Sequence, residues 1–230
     1  MKSGMTIAVV GATGMVGSRV ITEARARGHQ VLALSRKPAS EDPNVTPIAV
    51  DANDSYAVRE ALAGSASNGA SHRAADAVVL TLRTHPVDQE FLVDATRTVL
   101  DIAAQLGIRV LVVGGAGALR SPDDHDLLVA DNPAYVPAEW KTVAAAGIAQ
   151  LRACQAHAGA DWVYLSPPAL LEPGDRTGRY RRGTDTLLTG ADGQSWISAE
   201  DLAVAVVDEL DAPGPERLIT VAHRDEHPSA

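Results

Sequence analysis

The sequence is poor in cysteine, aromatic residues and positive charge. Cys154 stands alone among 230 residues, so no internal disulfide and no cysteine-based metal site can form, and a reducing compartment is the natural setting. Aromatic residues amount to 3%, with Phe91 the sole phenylalanine, which leaves few rings on which bases or sugars would stack. Acidic residues outnumber basic ones, 29 against 20, for a formal net charge of −9. Recognition of nucleic acid by bulk electrostatics needs a basic face and is excluded on that balance. No apolar run approaches the ~20 residues of a membrane span, and the opening Met1-Lys2-Ser3-Gly4 leads into a strand pattern without the apolar stretch of a signal peptide. The expectation is a cytoplasmic protein, monomer or homodimer, whose partner is a small molecule and which meets neither nucleic acid nor membrane.

What the chain has in quantity is small aliphatic residues. Hydrophobic residues make up 46%, mostly Ala and Val, which suit a sheet with helices packed closely on both faces. Short apolar runs alternate with amphipathic stretches. Strands are expected at 6–10, 30–34, 46–50, 76–82, 109–113, 162–166 and 217–221. Helices are expected at 15–27, 55–62, 87–106, 137–157 and 199–210, with Gly28 and Gly107 as stops. Strands alternating with helices of this length mean βαβ units and a parallel sheet. The fold class is therefore α/β, a doubly wound parallel sheet of the Rossmann type in a single domain over 1–230. The Ser/Gly/Ala-rich stretch 64–75 reads as a surface loop. The pattern weakens over 167–197, where Pro, Gly and Arg recur, and this reads as a small C-terminal substrate-binding lobe.

The most informative segment is Val10-Gly11-Ala12-Thr13-Gly14-Met15-Val16-Gly17. It follows a buried strand and opens a helix, the context in which spaced glycines bind a dinucleotide. Gly11 permits the tight turn, Gly14 allows backbone to approach a pyrophosphate, and Gly17 allows helix and strand to pack closely. The helix N-terminus adds free N–H groups and a positive dipole end. At the end of the second strand, sites for NAD carry an acid for the ribose 2′-hydroxyl. Here the residues are Leu34-Ser35-Arg36-Lys37-Pro38. A serine and two cations suit a 2′-phosphate, so NADP(H) is expected over NAD(H). The next acid, Glu41, lies beyond Pro38 and is a poor ribose ligand. Asp51, with Ala52 after it, follows the third strand, where two roles stay open: contact with an adenine amino group, or a turn.

With these residues placed, the chain resembles the atypical short-chain dehydrogenases/reductases with an NAD(P)H-binding, NmrA-like domain, and among them the NADH-flavin reductases related to biliverdin reductase B. The resemblance runs over nearly the whole chain. It is carried by Gly11, Gly14 and Gly17, by Val113-Gly114-Gly115-Ala116-Gly117, and by Asp161-Trp162-Val163-Tyr164-Leu165-Ser166-Pro167-Pro168. Further marks are Pro173-Gly174-Asp175-Arg176-Thr177-Gly178-Arg179-Tyr180-Arg181 and Ile197-Ser198-Ala199-Glu200-Asp201-Leu202-Ala203. It implies a nicotinamide pocket at the carboxyl ends of the strands. Thr81, Leu82 and Arg83 would pass the ribose and nicotinamide, Gly114, Gly115 and Ala116 would line the far side, and Ser166, Pro167 and Pro168 would form the floor.

The chain departs from the wider group in one respect. The Tyr-x-x-x-Lys pair, in which lysine lowers the tyrosine pKa and tyrosine protonates the substrate, is missing. Tyr56, Tyr135, Tyr164 and Tyr180 are followed four residues on by Glu60, Glu139, Pro168 and Thr184. No catalytic residue is therefore identified, and His85 and Arg83 remain weak candidates beside surface roles, including capping of the next helix by His85. Arg176, Arg179, Arg181 and Arg182 form a basic cluster that suits a phosphate-bearing substrate such as FMN, or a solvated turn. Asp123-Asp124-His125-Asp126 is not expected to hold a metal, because consecutive residues seldom converge on one ion. Cys154 is expected to be packed and inert. The leading function is an NADPH-dependent reductase that passes hydride to a flavin, quinone or similar conjugated acceptor, with Gly114–Gly117 backbone N–H groups facing the developing anion. The alternatives are a non-catalytic NADP(H)-sensing regulator and an epimerase or reductase of a specific metabolite.

Overall fold

The computed structural model describes residues 4–38, 40, 42–64 and 72–224. Glu41 and most of the 64–75 loop lie outside the described residues. Ten strands and five α-helices are present among those described. The main sheet is built from β1 (Thr6–Val10), β2 (Gln30–Ser35), β3 (Val45–Ala49), β4 (Ala77–Leu80), β5 (Arg109–Val113), β6 (Trp162–Ser166), β8 (Tyr180–Gly183) and β10 (Leu218–His223). Its order is β3-β2-β1-β4-β5-β6-β10-β8. All neighbours pair in parallel except β8, which runs antiparallel to β10 at the edge. The doubly wound α/β fold read from the sequence is the fold observed.

The period of two along each strand divides the core in two. Ala8, Val10, Leu32, Leu34, Val78, Leu80, Val110, Val112 and Tyr164 face one side. There they meet α2 (Ser55–Ala63), α3 (Gln89–Leu106) and α4 (Lys141–Ala156) through residues such as Leu62, Leu100 and Leu151. Ile7, Val9, Val31, Val79, Leu111, Val113, Val163 and Leu165 face the other side. They pack on α1 (Met15–Ala26) and α5 (Ala199–Asp211) through Val20, Leu202 and Val206. A strand buried on both faces is apolar throughout, and β1, β4 and β6 are buried at every residue.

The winding reverses at β1, which lies between β2 and β4. Ligands of doubly wound sheets bind outside the carboxyl ends of the strands at such a switch point. The termini of β1, β2, β4, β5 and β6 therefore define the crevice that matters for function.

Helix boundaries depart from the sequence reading where a cap sets them. Helix α3 starts at Gln89, because Asp88 is its N-cap and accepts from the Phe91 N–H at 2.9 Å. The stretch that opens at 137 begins with a 3-10 turn, Ala138–Trp140, before α4. Between β5 and α4 two further 3-10 turns, Ala116–Ala118 and Val129–Asp131, sit over a small cluster of Leu119, Val129, Val136 and Leu187. Residues 167–197 contain two strands that the sequence pattern did not reveal, and a third begins at their end. β7 (Leu170–Glu172) and β9 (Trp196–Ser198) form a two-stranded parallel sheet, and β8 extends the main sheet.

Candidate active site

The three glycines of the first turn differ in what surrounds them. Gly11 has φ +93°, and a Cβ there would stand 2.2 Å from the Thr81 carbonyl oxygen, so it needs glycine on both counts. A Cβ on Gly17 would stand 2.2 Å from the Gly11 oxygen, so glycine lets α1 lie against the turn. Gly14 is different. It has φ −75°, and the nearest atom to its Cβ would be the Gly11 oxygen at 3.2 Å, with no other within 4 Å. The dihedral does not demand glycine at 14, and a Cβ would press on the Gly11 oxygen alone, so the missing side chain leaves room outside the chain. Gly14 is also the N-cap of α1, and no side chain caps that end. The first-turn N–H groups, which begin at Met15, are thus open to a ligand. Ala12 and Val16 are buried in the core, and only their backbone faces the turn, whereas Thr13 is exposed.

Ser35, Arg36 and Lys37 end β2 beside this turn, since Gly11 and Ala12 both donate to the Leu34 carbonyl, at 3.0 and 3.2 Å. Arg36 and Lys37 are exposed and make no ion pair among the described residues. The Ser35 hydroxyl is buried without a hydrogen-bond partner, so rotating it toward the crevice breaks no bond. Asp51 is exposed, and its Oδ1 accepts from the Asn53 N–H at 3.0 Å. The turn role is therefore real. Its neighbour Ala52 is buried, and Asp54 caps α2 by accepting from the Tyr56 and Ala57 N–H groups, each at 3.0 Å.

The β4 end continues the wall. The Thr81 N–H donates to the Val10 carbonyl at 2.9 Å, Leu82 packs on the core, and Arg83 turns outward. The Arg83 guanidinium lies 5.3 Å from the ring centroid of Trp140, within cation–π range. Trp140 precedes α4 and is 47% exposed, the most exposed tryptophan and a residue the sequence reading passed over. His85 is exposed and does not cap α3; Asp88 does, and its own N–H is held by the Thr84 hydroxyl at 2.7 Å.

A second overlooked residue is Tyr164. It is 1% exposed, and its hydroxyl donates to the Gly147 carbonyl at 2.9 Å. A Cβ on Gly114 would overlap the Tyr164 hydroxyl, 1.9 Å away, so Gly114 is glycine to admit this ring. The Gly114 N–H is bonded to the Leu165 carbonyl at 2.9 Å. The expectation that the Gly114–Gly117 N–H groups face an anion is corrected at Gly114, whose N–H is taken up by β6. Burial holds the Tyr164 phenol above its ordinary pKa. Tyr180 is raised by burial and by its bond to Asp208, and Tyr135 by burial and the Asp123 charge. In each of these three the shift is opposite to the lowering that the missing Tyr/Lys pair would bring. Ser166, Pro167 and Pro168 are buried, and the Ser166 carbonyl accepts from the Thr220 hydroxyl at 2.9 Å, a fixed floor.

The basic cluster of the 167–197 segment is taken up by the protein itself. Arg176 grips Glu23 with two hydrogen bonds, 2.6 and 2.8 Å. Arg181 donates to the His223 and Thr189 carbonyls at 3.2 and 2.8 Å. Arg182 pairs with Glu209 at 2.9 Å and Glu216 at 3.5 Å. With Thr177 and Gly178 bonded to Asp201 at 2.5 and 2.7 Å, and Tyr180 to Asp208 at 2.6 Å, this segment is stapled to α1 and α5. The phosphate-binding alternative for this cluster is thereby corrected. Asp124 is likewise a turn former, accepting from the Asp126 N–H at 3.0 Å, and no group of three or more His, Cys, Asp or Glu among the described residues could hold a metal. Cys154 is fully buried, and burial pushes its thiol up to about 12, so it is unreactive at neutral pH.

Comparison with known proteins agrees with this geometry. The Bacillus subtilis protein YwnB is 32% identical over 211 residues, spanning 91% of this chain and 93% of that one. Among solved structures, a candidate exported protein from Burkholderia pseudomallei matches with a TM-score of 0.82 and 37% identity, covering 95% of this chain and all of the other. A candidate NADH-flavin reductase from Streptococcus pneumoniae matches with a TM-score of 0.79 and 27% identity, over 96% and 100% of the two chains. The family model described as NAD(P)H-binding matches residues 11–213. The match thus opens at the first glycine of the turn and closes just beyond α5, and the chain belongs to this NAD(P)H-binding family, as its likeness to the atypical short-chain dehydrogenases/reductases implied.

Proposed function

We propose that this NAD(P)H-binding oxidoreductase uses NADPH to reduce a flavin, a quinone or a similar conjugated acceptor. The observation that carries the reading is the pairing of two features at the switch point. One is the Gly14 cradle in front of an uncapped helix. The other is Ser35-Arg36-Lys37, with two unpaired cations and no acid where a ribose 2′-hydroxyl would need one. The cradle and the α1 N–H groups would hold the pyrophosphate, and Ser35, Arg36 and Lys37 the 2′-phosphate. Asp51 Oδ2 remains available for the adenine amino group, and Thr81, Leu82, Gly115, Ser166 and Pro167 bound the nicotinamide end.

When bound, NADPH supplies a hydride, and the protein's task is to position the acceptor and exclude competing reactions. A conjugated acceptor spreads the incoming charge over its own atoms and takes its proton from solvent. This chemistry does not require a dedicated protein acid, which matches a site whose buried tyrosines are held protonated and whose His85 stands exposed. Ketone reduction by the Tyr-x-x-x-Lys route lacks its residue pair in this sequence. The deciding experiment is a fluorescence titration with NADPH and NADH, followed by FMN, riboflavin and a quinone with loss of the reduced-nicotinamide absorbance as readout. Tight NADPH binding with acceptor-dependent turnover supports the reading. Tight binding without turnover on any acceptor transfers it to a sensor of the cofactor, and absence of binding ends the assignment of the glycine turn.

A further inference from the structure

The cations of this chain fall into two sets. On the α1/α5 side nearly every arginine is engaged by a carboxylate. Arg19 pairs with Glu200, Arg25 with Asp42, Arg27 with Glu23, Asp208 and Asp211, Arg109 with Glu209, Arg176 with Glu23, and Arg182 with Glu209 and Glu216. At the carboxyl edge the pattern stops. Arg83 and Lys141 are exposed, and among the described residues neither has a carboxylate within ion-pairing distance. Other cations of the chain also lack an ion pair, but Arg83 is held against an exposed aromatic ring, and Lys141 follows that ring's residue directly in sequence.

Arg83 follows β4, while Trp140 and Lys141 open α4. Helix α4 is fixed beside the β5 terminus. A Cβ on Gly117 would stand 2.8 Å from the Ala144 Cβ, and one on Gly147 would stand 3.7 Å from the Gly115 nitrogen. Trp140 is one turn before Ala144 on this helix, so the Arg83–Trp140 contact spans the mouth of the crevice over the β4 and β5 ends. The indole holds the guanidinium by its π-face, which orients the group and leaves its five N–H donors without a carboxylate. A fork of donors in that state matches a carboxylate or phosphate bidentately.

We infer that Arg83, oriented by Trp140 and assisted by Lys141, binds an anionic substituent of the acceptor and so selects anionic conjugated acceptors over neutral ones. This rests on the reductase reading, which supplies the acceptor, but it concerns binding and is tested apart from turnover. FMN and riboflavin carry the same ring system and differ by one phosphate. Equilibrium binding of each to the NADP⁺-loaded protein, with NADPH-dependent turnover measured in parallel, reads the preference directly. Wild type should bind FMN about tenfold more tightly than riboflavin, the size of one charge-assisted contact. Arg83→Met, which keeps the aliphatic stem against the indole, should bring the ratio to about one. Trp140→Leu should lower the ratio partly. Equal binding of the two flavins by wild type, binding of neither, or an unaltered ratio in Arg83→Met overturns the inference. So does weaker NADPH binding in Arg83→Met, because that would make Arg83 a cofactor contact. An FMN preference without turnover of either flavin leaves the anion subsite standing and removes the reductase reading.

Discussion

Two basic stretches of this chain read alike in the sequence and behave oppositely in the structure. Arg36-Lys37 closes β2 and is exposed and unpaired among the described residues. The arginines at 176, 181 and 182 look like an equally good anion site, yet each is bound to protein acceptors. The difference lies in what folds against them. α1 and α5 present Glu23, Asp201, Asp208 and Glu209 toward the second stretch, whereas no acid among the described residues pairs with the first. A cation whose hydrogen-bonding capacity is used internally adds stability, and a cation without partners is available to a ligand.

This contrast can be broken from either side. Glu23→Ala should have the largest effect, because it strips a carboxylate that is 4% exposed from both Arg27 and Arg176. A loss of about 3 kcal/mol is expected, a Tm lower by roughly 6–12 °C. Calorimetry should show this loss while NADPH affinity is retained; a matching collapse of NADPH binding would mean that the two regions are not separable. Gly14→Ala tests the opposite face. The added methyl presses on one protein atom, the Gly11 oxygen at 3.2 Å, so stability should fall by about 1 kcal/mol, but NADPH affinity should fall at least tenfold, or about 1.4 kcal/mol. Next, the double variant Arg36→Ala, Lys37→Ala should weaken NADPH by about tenfold at unaltered Tm and leave NADH as it was. Equal effects on the two dinucleotides would remove the 2′-phosphate assignment.

The smallest effect is a pH dependence. The Arg176 hydrogen bonds, then those of Arg27, hold the Glu23 carboxyl below its ordinary value of 4.5 against the opposing pull of burial. A carboxyl whose folded pKa is depressed binds protons more readily when unfolded. Its stabilisation is thus complete above the unfolded value and lost as pH falls through the folded one. From about pH 6 to about pH 3, wild type should lose roughly 1 kcal/mol more stability than Glu23→Gln. Parallel curves would show that the pair contributes nothing.

The legible parts of the fold were those fixed by local pattern. Seven strands, the five helices and the glycine turn announce themselves through apolar runs and spacing within a few residues. The 170–183 strands do not. β8 reads Tyr-Arg-Arg-Gly, half-exposed and polar, and its ladder is made with residues 220–223, some 40 positions later; β7 finds β9 across 26 residues. Within the site, the cofactor side was readable because it depends on glycines at fixed offsets. The acceptor side was not, because Trp140 gains its significance from Arg83, 57 positions away, and Tyr164 from a glycine on another element.

That last contact carries a consequence for how such chains diverge. Gly114, Gly147 and Tyr164 are three letters of a single word: the ring fills the volume that one glycine vacates, and its hydroxyl is anchored on the carbonyl of the other. Gly114 and Tyr164 cannot drift alone, whereas position 147 contributes only a backbone carbonyl and has room for a Cβ. A larger residue at 114 demands a shorter one at 164, and a shorter one at 164 leaves a hollow beside the β5 terminus. Across homologues positions 114 and 164 should change together or not at all, while 147 is free to vary.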